Sequence, residues 1–387
     1  MNISTWAASL VCASGLCVSV SAAQTVTPVA DLPNGQKASV SDMSGDGSTL
    51  VARTDTGIFR MRNGTWQSLG TVIGKRPTTV QASRTGDFVY STMRGIGLPT
   101  QDRVHVYRGG AWRNAASSVD TFESHVAKFI SADGSRLIAD QFGVDFTRQR
   151  VFNWNGANYV EQSVAAAYPS AQNLNPPGSD LDEQSWFGMS NDGLTAMASL
   201  IGPVGGGTAA RFGQSAVSFS RPSSVTPGPF FFQEFSRGQS LSGDGNVIYG
   251  VYTWSGAGAN GAGNGQASFR WSAATGTTLL PSFELGTTEV SDNGDIWVMS
   301  DGGVYSHTAG NFLTASQFLS ANAVDFAAWT NLRITQVSGD GLMLSGLGSF
   351  NNGSQIVSDQ AWIVSIPTPG ATGVAVIALL AGARRRR

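Results

Sequence analysis

The chain has 387 residues, 41% of them apolar and only 13% charged, about half of the ~25% usual for soluble domains. That apolar content can bury a large core, which excludes general disorder, and its 48 glycines follow no period of three, which excludes collagen. Without the two terminal segments described below, the chain carries 20 basic and 26 acidic groups, a net of −6, which argues against nucleic acid as a partner.

Residues 1–23 read as a secretory signal. Ala7 to Val20 is apolar and small, and Ser21-Ala22-Ala23 offers small residues at the cleavage positions, with Ala23 the last residue removed. No Lys or Arg precedes the apolar run. Both cysteines, Cys12 and Cys17, fall inside this segment, behind Val11 and Leu16 rather than the small residues a lipoprotein signal needs. Cleavage therefore leaves a chain without disulfides, thiolate metal sites or a cysteine nucleophile.

Residues 24–365 are expected to form one domain. Thr25–Leu32 has strand character but stands alone, ahead of a motif that recurs seven times. The motif is Ser, one to three small or polar residues, Gly, and then an apolar strand. Its serines are Ser44, Ser83, Ser131, Ser190, Ser242, Ser291 and Ser338, spaced 39, 48, 59, 52, 49 and 47 residues apart. Asp-Gly or Asn-Gly supplies positive φ for a hairpin turn, and the Ser hydroxyl can accept from a turn amide and lock the register. The strands behind the turns run from Ser48–Arg53 to Leu342–Leu347 and are apolar enough to be covered on both faces.

Most turns are followed by a short aromatic strand, a Gly-containing turn and another strand. Gly57-Ile58-Phe59-Arg60-Met61 leads through Asn63-Gly64 to Trp66, and Ser268-Phe269-Arg270-Trp271 leads through Thr275-Gly276 to Leu279. In the fourth repeat Ala216-Val217-Ser218-Phe219 is read as this strand, ahead of a Pro-containing loop. No stretch shows a convincing 3.6 period. Four strands repeated seven times predict a seven-bladed β-propeller. The seventh repeat ends at Trp362–Ser365, one strand short, and Thr25–Leu32 is the spare strand that would complete it and close the ring. A stacked solenoid is the competing architecture; it shares the period but does not explain the missing strand.

The Ser-x-Asp-Gly turn with its apolar strand resembles the WD40-like (PD40) β-propeller repeats of bacteria. The fuller pattern, with Ser268-Phe269-Arg270-Trp271 and Leu69-Gly70, resembles extracellular HAF repeats. Both resemblances imply a propeller over residues 40–365. Neither supplies catalytic residues to carry over.

Side chains that could carry chemistry are few. His105, His125 and His307 are too far apart in sequence to form a helical or hairpin metal pair, and His105 and His307 are expected at solvent-facing strand positions. Asp180 and Asp182 could present two carboxylates to Ca²⁺ in a loop, although EF-hand spacing is absent. The sialidase Ser-x-Asp-x-Gly-x-Thr-Trp box is missing, and ten irregularly placed Trp do not make a quinoprotein pattern. Pro222–Phe235, with Phe230, Phe231, Phe232 and Phe235, is either a sticky patch for a protein or glycan or an outer strand packed on a neighbouring blade, and Ser255–Gly265 reads as an exposed loop. No residue is assigned a catalytic, cofactor-binding or metal-binding role.

The C-terminus is more specific. Pro367-Thr368-Pro369 is followed by an apolar run, Ala371 to Ala383, and by Arg384-Arg385-Arg386-Arg387. At about 1.5 Å per helical residue the run spans roughly 20 Å, short of a ~30 Å hydrocarbon core unless the arginines snorkel. Four terminal arginines fit a cytoplasmic end. This tripartite tail resembles the PEP-CTERM sorting signal of Gram-negative bacteria, with Thr368 in place of Glu. The resemblance implies export, transient anchoring of a C-terminal hydrophobic helix in the inner membrane, processing by an exosortase-like protease, and release to or attachment at the cell surface.

These features predict an exported binding module at the cell surface or in the extracellular matrix, with exopolysaccharide or a surface protein as partner. The competing reading is a secreted carbohydrate hydrolase or lyase acting in the propeller channel. An enzyme should gather acidic, Arg or Tyr side chains at one end of the channel; a scaffold should line it with small and apolar ones.

Overall fold

The computed structural model describes residues 24–96, 101–115, 123–143, 147–173, 185–201, 207–213, 217–219, 231–257, 265–280 and 287–367. Their plan is set by the seven turns. The turn serines are 0–2% exposed. Each Oγ accepts the amide of the residue five positions on, the start of the next strand, at 2.8–3.2 Å. In six copies the same hydroxyl donates to the Asp or Asn two residues on, at 2.5–2.7 Å. That Asp or Asn then accepts the amide after the glycine. The turn glycines all sit at φ between +66° and +75°. The expected lock is thus present in all seven copies.

The strands the turns join form seven antiparallel sheets arranged as the blades of a β-propeller. The inner strands are Val40–Met43, Lys75–Pro77 with Gln81–Ala82, Ser124–Ile130, Ser185–Met189, Phe231–Leu241, Thr287–Val290 and Trp329–Val337. Thr27–Pro28 pairs with the third strand of the last blade, Thr27 opposite Ile363 and Pro28 opposite Trp362. The ring is closed by the first described residues, as the strand count requires, and the solenoid is excluded. The Trp329 indole N–H and the Gln360 amide also donate to Val26 O and Val29 O.

Blades pack through apolar clusters, one per interface among the described residues. Val51, Ile58, Val80, Val89 and Met93 fill the first-to-second interface, and Val247, Tyr249, Val290, Trp297 and Tyr305 the fifth-to-sixth. The turns take part in this packing. A Cβ on each turn glycine would press on the residue at, or one before, the start of the second strand of the preceding blade: Met343, Thr49, Phe88, Arg136, Thr195, Val247 or Ile296. Glycine is therefore needed for space between blades as well as for its φ.

Three readings are corrected. The third strand of the fourth blade is Gly207–Phe212, and Val217–Ser218 is its outer strand; the longer connection shifted the aromatic strand by one place. Phe231, Phe232 and Phe235 lie on the long inner strand of the fifth blade, which pairs with Val247–Ala257. That segment is neither a loop nor an outer strand, and Phe230 lies outside the described residues, as does 258–264. Two short helices occur, Val164–Ala167 and Ala315–Ala321, the second with a Thr314/Gln317 capping box. At four and seven residues they are too short to show a period. Also outside the described residues are 1–23 with Ala23, Asp180 and Asp182, and Thr368, Pro369 and Arg384 to Arg387 with the expected C-terminal helix.

Two substitutions test the turn. Gly294→Ala forces a left-handed φ on a residue whose Cβ would stand 2.5 Å from Val247 Cβ; the expected loss is about 2–4 kcal/mol. Ser291→Ala leaves the buried Ile296 amide without its acceptor and should cost about 1–3 kcal/mol. Urea unfolding of both variants checks these values; a Gly294→Ala protein as stable as wild type would show that blade packing does not need the glycine.

Candidate functional site: a channel closed at one end

The residues after the turn serines are Gly45, Arg84, Ala132, Asn191, Gly243, Asp292 and Gly339. Their backbones join into a ring. Gly45 N donates to Arg84 O, Ala132 N to Asn191 O, and Asn191 N to Gly243 O, at 2.6–2.7 Å. Asp292 N donates to Gly339 O at 2.7 Å and Gly339 N to Gly45 O at 2.5 Å, while Asp244 N reaches Asp292 O at 3.4 Å. The remaining link, second blade to third, is made by the Thr85 hydroxyl to Ala132 O at 2.9 Å. Seven hydrogen bonds thus connect seven turns around one end of the channel.

A side-chain plug fills this ring. Arg84, in the second blade, reaches across to the sixth, where Nε donates to Asp292 Oδ1 at 2.7 Å and Nη1 to Glu289 Oε1 at 3.3 Å. Side chains on Gly45, Gly243 or Gly339 would overlap Arg84 or Asp292. Small residues at these positions make room for the ion pair.

Above the plug lies a cavity of about 380 Å³, lined by Asp42, Gln81, Arg84, Tyr90, Lys128 and Glu289 among others. Six of the seven inner strands bulge three residues before their serine. In the second blade the inner strand is interrupted between Pro77 and Gln81 instead. A bulge re-aims side chains, and here it brings both the third and second residues before the serine onto the cavity wall, as with Lys128 and Phe129 or Gln239 and Ser240.

The carboxylates are tied to the protein. Glu289 Oε2 accepts the Val337 amide at 2.9 Å. Asp42 accepts the amides of Ala82 at 2.8 Å and Met43 at 2.9 Å. The Tyr90 hydroxyl donates to Lys128 O at 3.3 Å, and Lys128 Nζ pairs with Asp140 at 2.9 Å. Burial, reinforced by the neighbouring Asp42 charge, pushes the Glu289 carboxyl up to about 8. Burial also raises Asp42, to about 6, against the pull of its two amide hydrogen bonds and Arg84.

The histidines lie elsewhere. His105 is 3% exposed, which corrects the expected solvent-facing position: third strands in this fold are covered by neighbouring blades. Burial and the adjacent Lys75 hold it down at about 4. His125 is fully buried, edge-on to Phe152 and likewise lowered to about 4, chiefly by burial. His307 is exposed in the turn after Val304–Ser306. Among the described residues no three His, Cys, Asp or Glu converge to hold a metal ion, and no helix is long and apolar enough to cross a membrane. The channel residues were missed in sequence, although Arg84 and Asp292 are opposite charges at equivalent positions of two repeats.

The fold and its channel define the class: a seven-bladed β-propeller with one end sealed by its own turns. No protein family and no curated protein matches the sequence. Among solved structures it is similar to an oligogalacturonate lyase in complex with manganese, at 10% identity over 90% of this chain and 98% of that one, with a TM-score of 0.50. It is also similar to the Dos1 propeller, 12% identical over 89% and 95% of the two chains, TM-score 0.44. A third is a putative TolB from Agrobacterium tumefaciens, 12% identical over 62% and 78%, TM-score 0.37. These likenesses concern the fold alone.

The raised carboxyls set a pH dependence. An acid whose pKa is higher folded than unfolded stabilises the fold fully below its unfolded pKa, and that stability is lost as pH rises through the folded value. For Glu289 the window runs from its ordinary 4.5 to about 8, and for Asp42 from 3.8 to about 6. Asp46 and Asp133, lowered by serine and amide hydrogen bonds against some desolvation, act oppositely at the acid end. Stability should peak in mild acid and fall by on the order of a few kcal/mol, most of it from Glu289, between pH 5 and 8. Thermal melts across this range check it, and Glu289→Gln should flatten the slope.

Proposed function

We propose that this propeller is an exported binding protein of the cell surface or extracellular matrix whose ligand enters the channel from the end opposite the turn ring. The observation that carries this reading is the state of the channel's polar groups. Asp42 and Glu289 have amides bound to them and the Tyr90 hydroxyl is spent on a carbonyl, so no nucleophile stands beside a free base. What is left toward the cavity is a wall of polar and aromatic side chains, including Gln81, Phe129, Phe187 and Gln336, the composition of a small-ligand pocket. Glycan arrays and calorimetry with residues 24–365, using the producer's exopolysaccharide, should give saturable binding that Phe129→Ala weakens at least tenfold. No binding to any glycan or surface protein would end this reading.

A second reading, a carbohydrate hydrolase or lyase, is favoured by one observation. By the criterion of clustered acidic, Arg and Tyr side chains the channel end qualifies, and Glu289 holds a proton near neutrality beside a more acidic Asp42. Release of reducing ends or unsaturated products, abolished by Glu289→Gln, would establish it over simple binding.

Sorting at the surface belongs to the same proposal. Ile366 N donates to Leu342 O directly after the turn glycine Gly341, so the described chain ends on the turn-ring side. Anchoring there by residues 368–387, with exosortase-like processing, would turn the channel mouth away from the inner membrane. Replacing Arg384–Arg387 with Ala should alter mass and fractionation in cells, because the tail loses its cytoplasmic anchor; identical mass and fractionation would remove the sorting reading.

A further inference from the structure

We infer that the channel binds a small ligand carrying a primary ammonium group, such as a de-acetylated amino sugar, seated between Asp42 and Glu289. This inference rests on the channel being the ligand site and adds the chemistry of what enters it. The charges facing the cavity floor do not balance. Glu289 and Asp292 share one guanidinium, that of Arg84, while Lys128 is committed to Asp140. Asp42 has no ion-pair partner among the described residues; only amides donate to it. With Glu289 protonated the site holds one surplus negative charge against Arg84 and Lys128, and two once it ionises, while Tyr90 adds none as long as it stays protonated. An anion entering here meets those charges desolvated, whereas a cation removes the imbalance.

Two observations besides the carboxylates point the same way. The side-chain oxygen of Gln239, on the same wall, is buried without a hydrogen-bond donor. An ammonium group brings three N–H donors and no acceptor, which matches a wall rich in acceptors. Phe129, partly exposed on this wall, supplies an aromatic face, which attracts cations and stacks on sugar rings, while the Arg237 guanidinium already covers a face of Phe187 at 4.6 Å. A volume of about 380 Å³ suits one or two sugar residues rather than a polymer threaded through the ring, and the turn ring closes the far end.

Binding should also release protons. An ammonium beside a carboxyl kept protonated by burial favours its ionised form, so the ligand displaces protons from the acid pair. The probes are a glucosamine tetramer, its fully N-acetylated counterpart and a galacturonate tetramer, titrated calorimetrically into residues 24–365 at pH 7 in two buffers of different ionisation heat. The aminated tetramer should bind at least tenfold more tightly than the acetylated one, with buffer-dependent heat showing proton release. Glu289→Gln, which removes the charge and can still accept one of the two hydrogen bonds from Arg84 and Val337, should remain folded by thermal melt, weaken that binding at least tenfold and abolish the buffer dependence. Gln239→Leu, a second variant, should weaken it too, and exposed Lys37→Ala should not. Equal or tighter binding of the acetylated or galacturonate tetramer, or aminated binding unchanged by Glu289→Gln, overturns the inference. If those neutral or anionic glycans bind and Phe129→Ala weakens them, the channel reading survives and the ammonium chemistry alone falls. If no glycan binds, both fall.

Discussion

Seven buried serine hydroxyls hold this architecture in register. Each accepts the amide that opens the next strand, and six of them also donate to the turn carboxylate or amide. A strand slip of one residue would break the bond and turn every side chain to the wrong face. The turn it fixes carries a glycine whose missing Cβ admits the preceding blade, and a following backbone that bonds to the next turn. One short motif therefore sets strand register, blade spacing and the closed end of the channel. That coupling explains how a chain with only 13% charged residues and no cysteine beyond residue 17 holds a ring of seven sheets together.

Closure has the same character. The inner strands touch only neighbours, so an open arc would leave an unpaired sheet edge. Thr27–Pro28 removes it with a two-residue pairing, but the surrounding contacts are larger: Val26 and Val29 are buried, and Trp329 and Gln360 donate to the same segment. The short strand is the visible part of a longer packed strap.

The repeat, the strand count and the spare N-terminal strand were legible in sequence because turn chemistry is local: Ser, Asp and Gly at fixed offsets determine a hairpin wherever they occur. The channel was not legible, because Arg84, Glu289 and Asp42 lie up to 247 residues apart and meet only once the ring has closed. His105 was misplaced for a related reason, since period-two alternation predicts a solvent face that a strand between two blades does not have. A trace of the site was nevertheless present. Six turn copies carry Asp or Asn before their glycine, and the exception, Arg84-Thr85-Gly86, is the copy that plugs the channel. There the Thr85 hydroxyl takes over the link that backbone makes elsewhere. A repeat that breaks its own rule marks where a different requirement has won.

What that requirement is follows from the cost of the plug. Burying Arg84 with three carboxylates forfeits more hydration than one guanidinium returns, and apolar residues of similar volume would seal the ring at least as well. The surrounding residues keep the cluster intact: glycines at 45, 243 and 339 clear its space, and amides from Ala82, Met43 and Val337 orient its acids. Scaffolding alone does not call for this arrangement, since five of the seven turns close their share of the ring without a charged residue after the serine. Six bulges then turn the residues above it toward the same small volume. Destabilising charge at the bottom of a closed channel, held in place by its neighbours, is what the proposed ligand site would be built on.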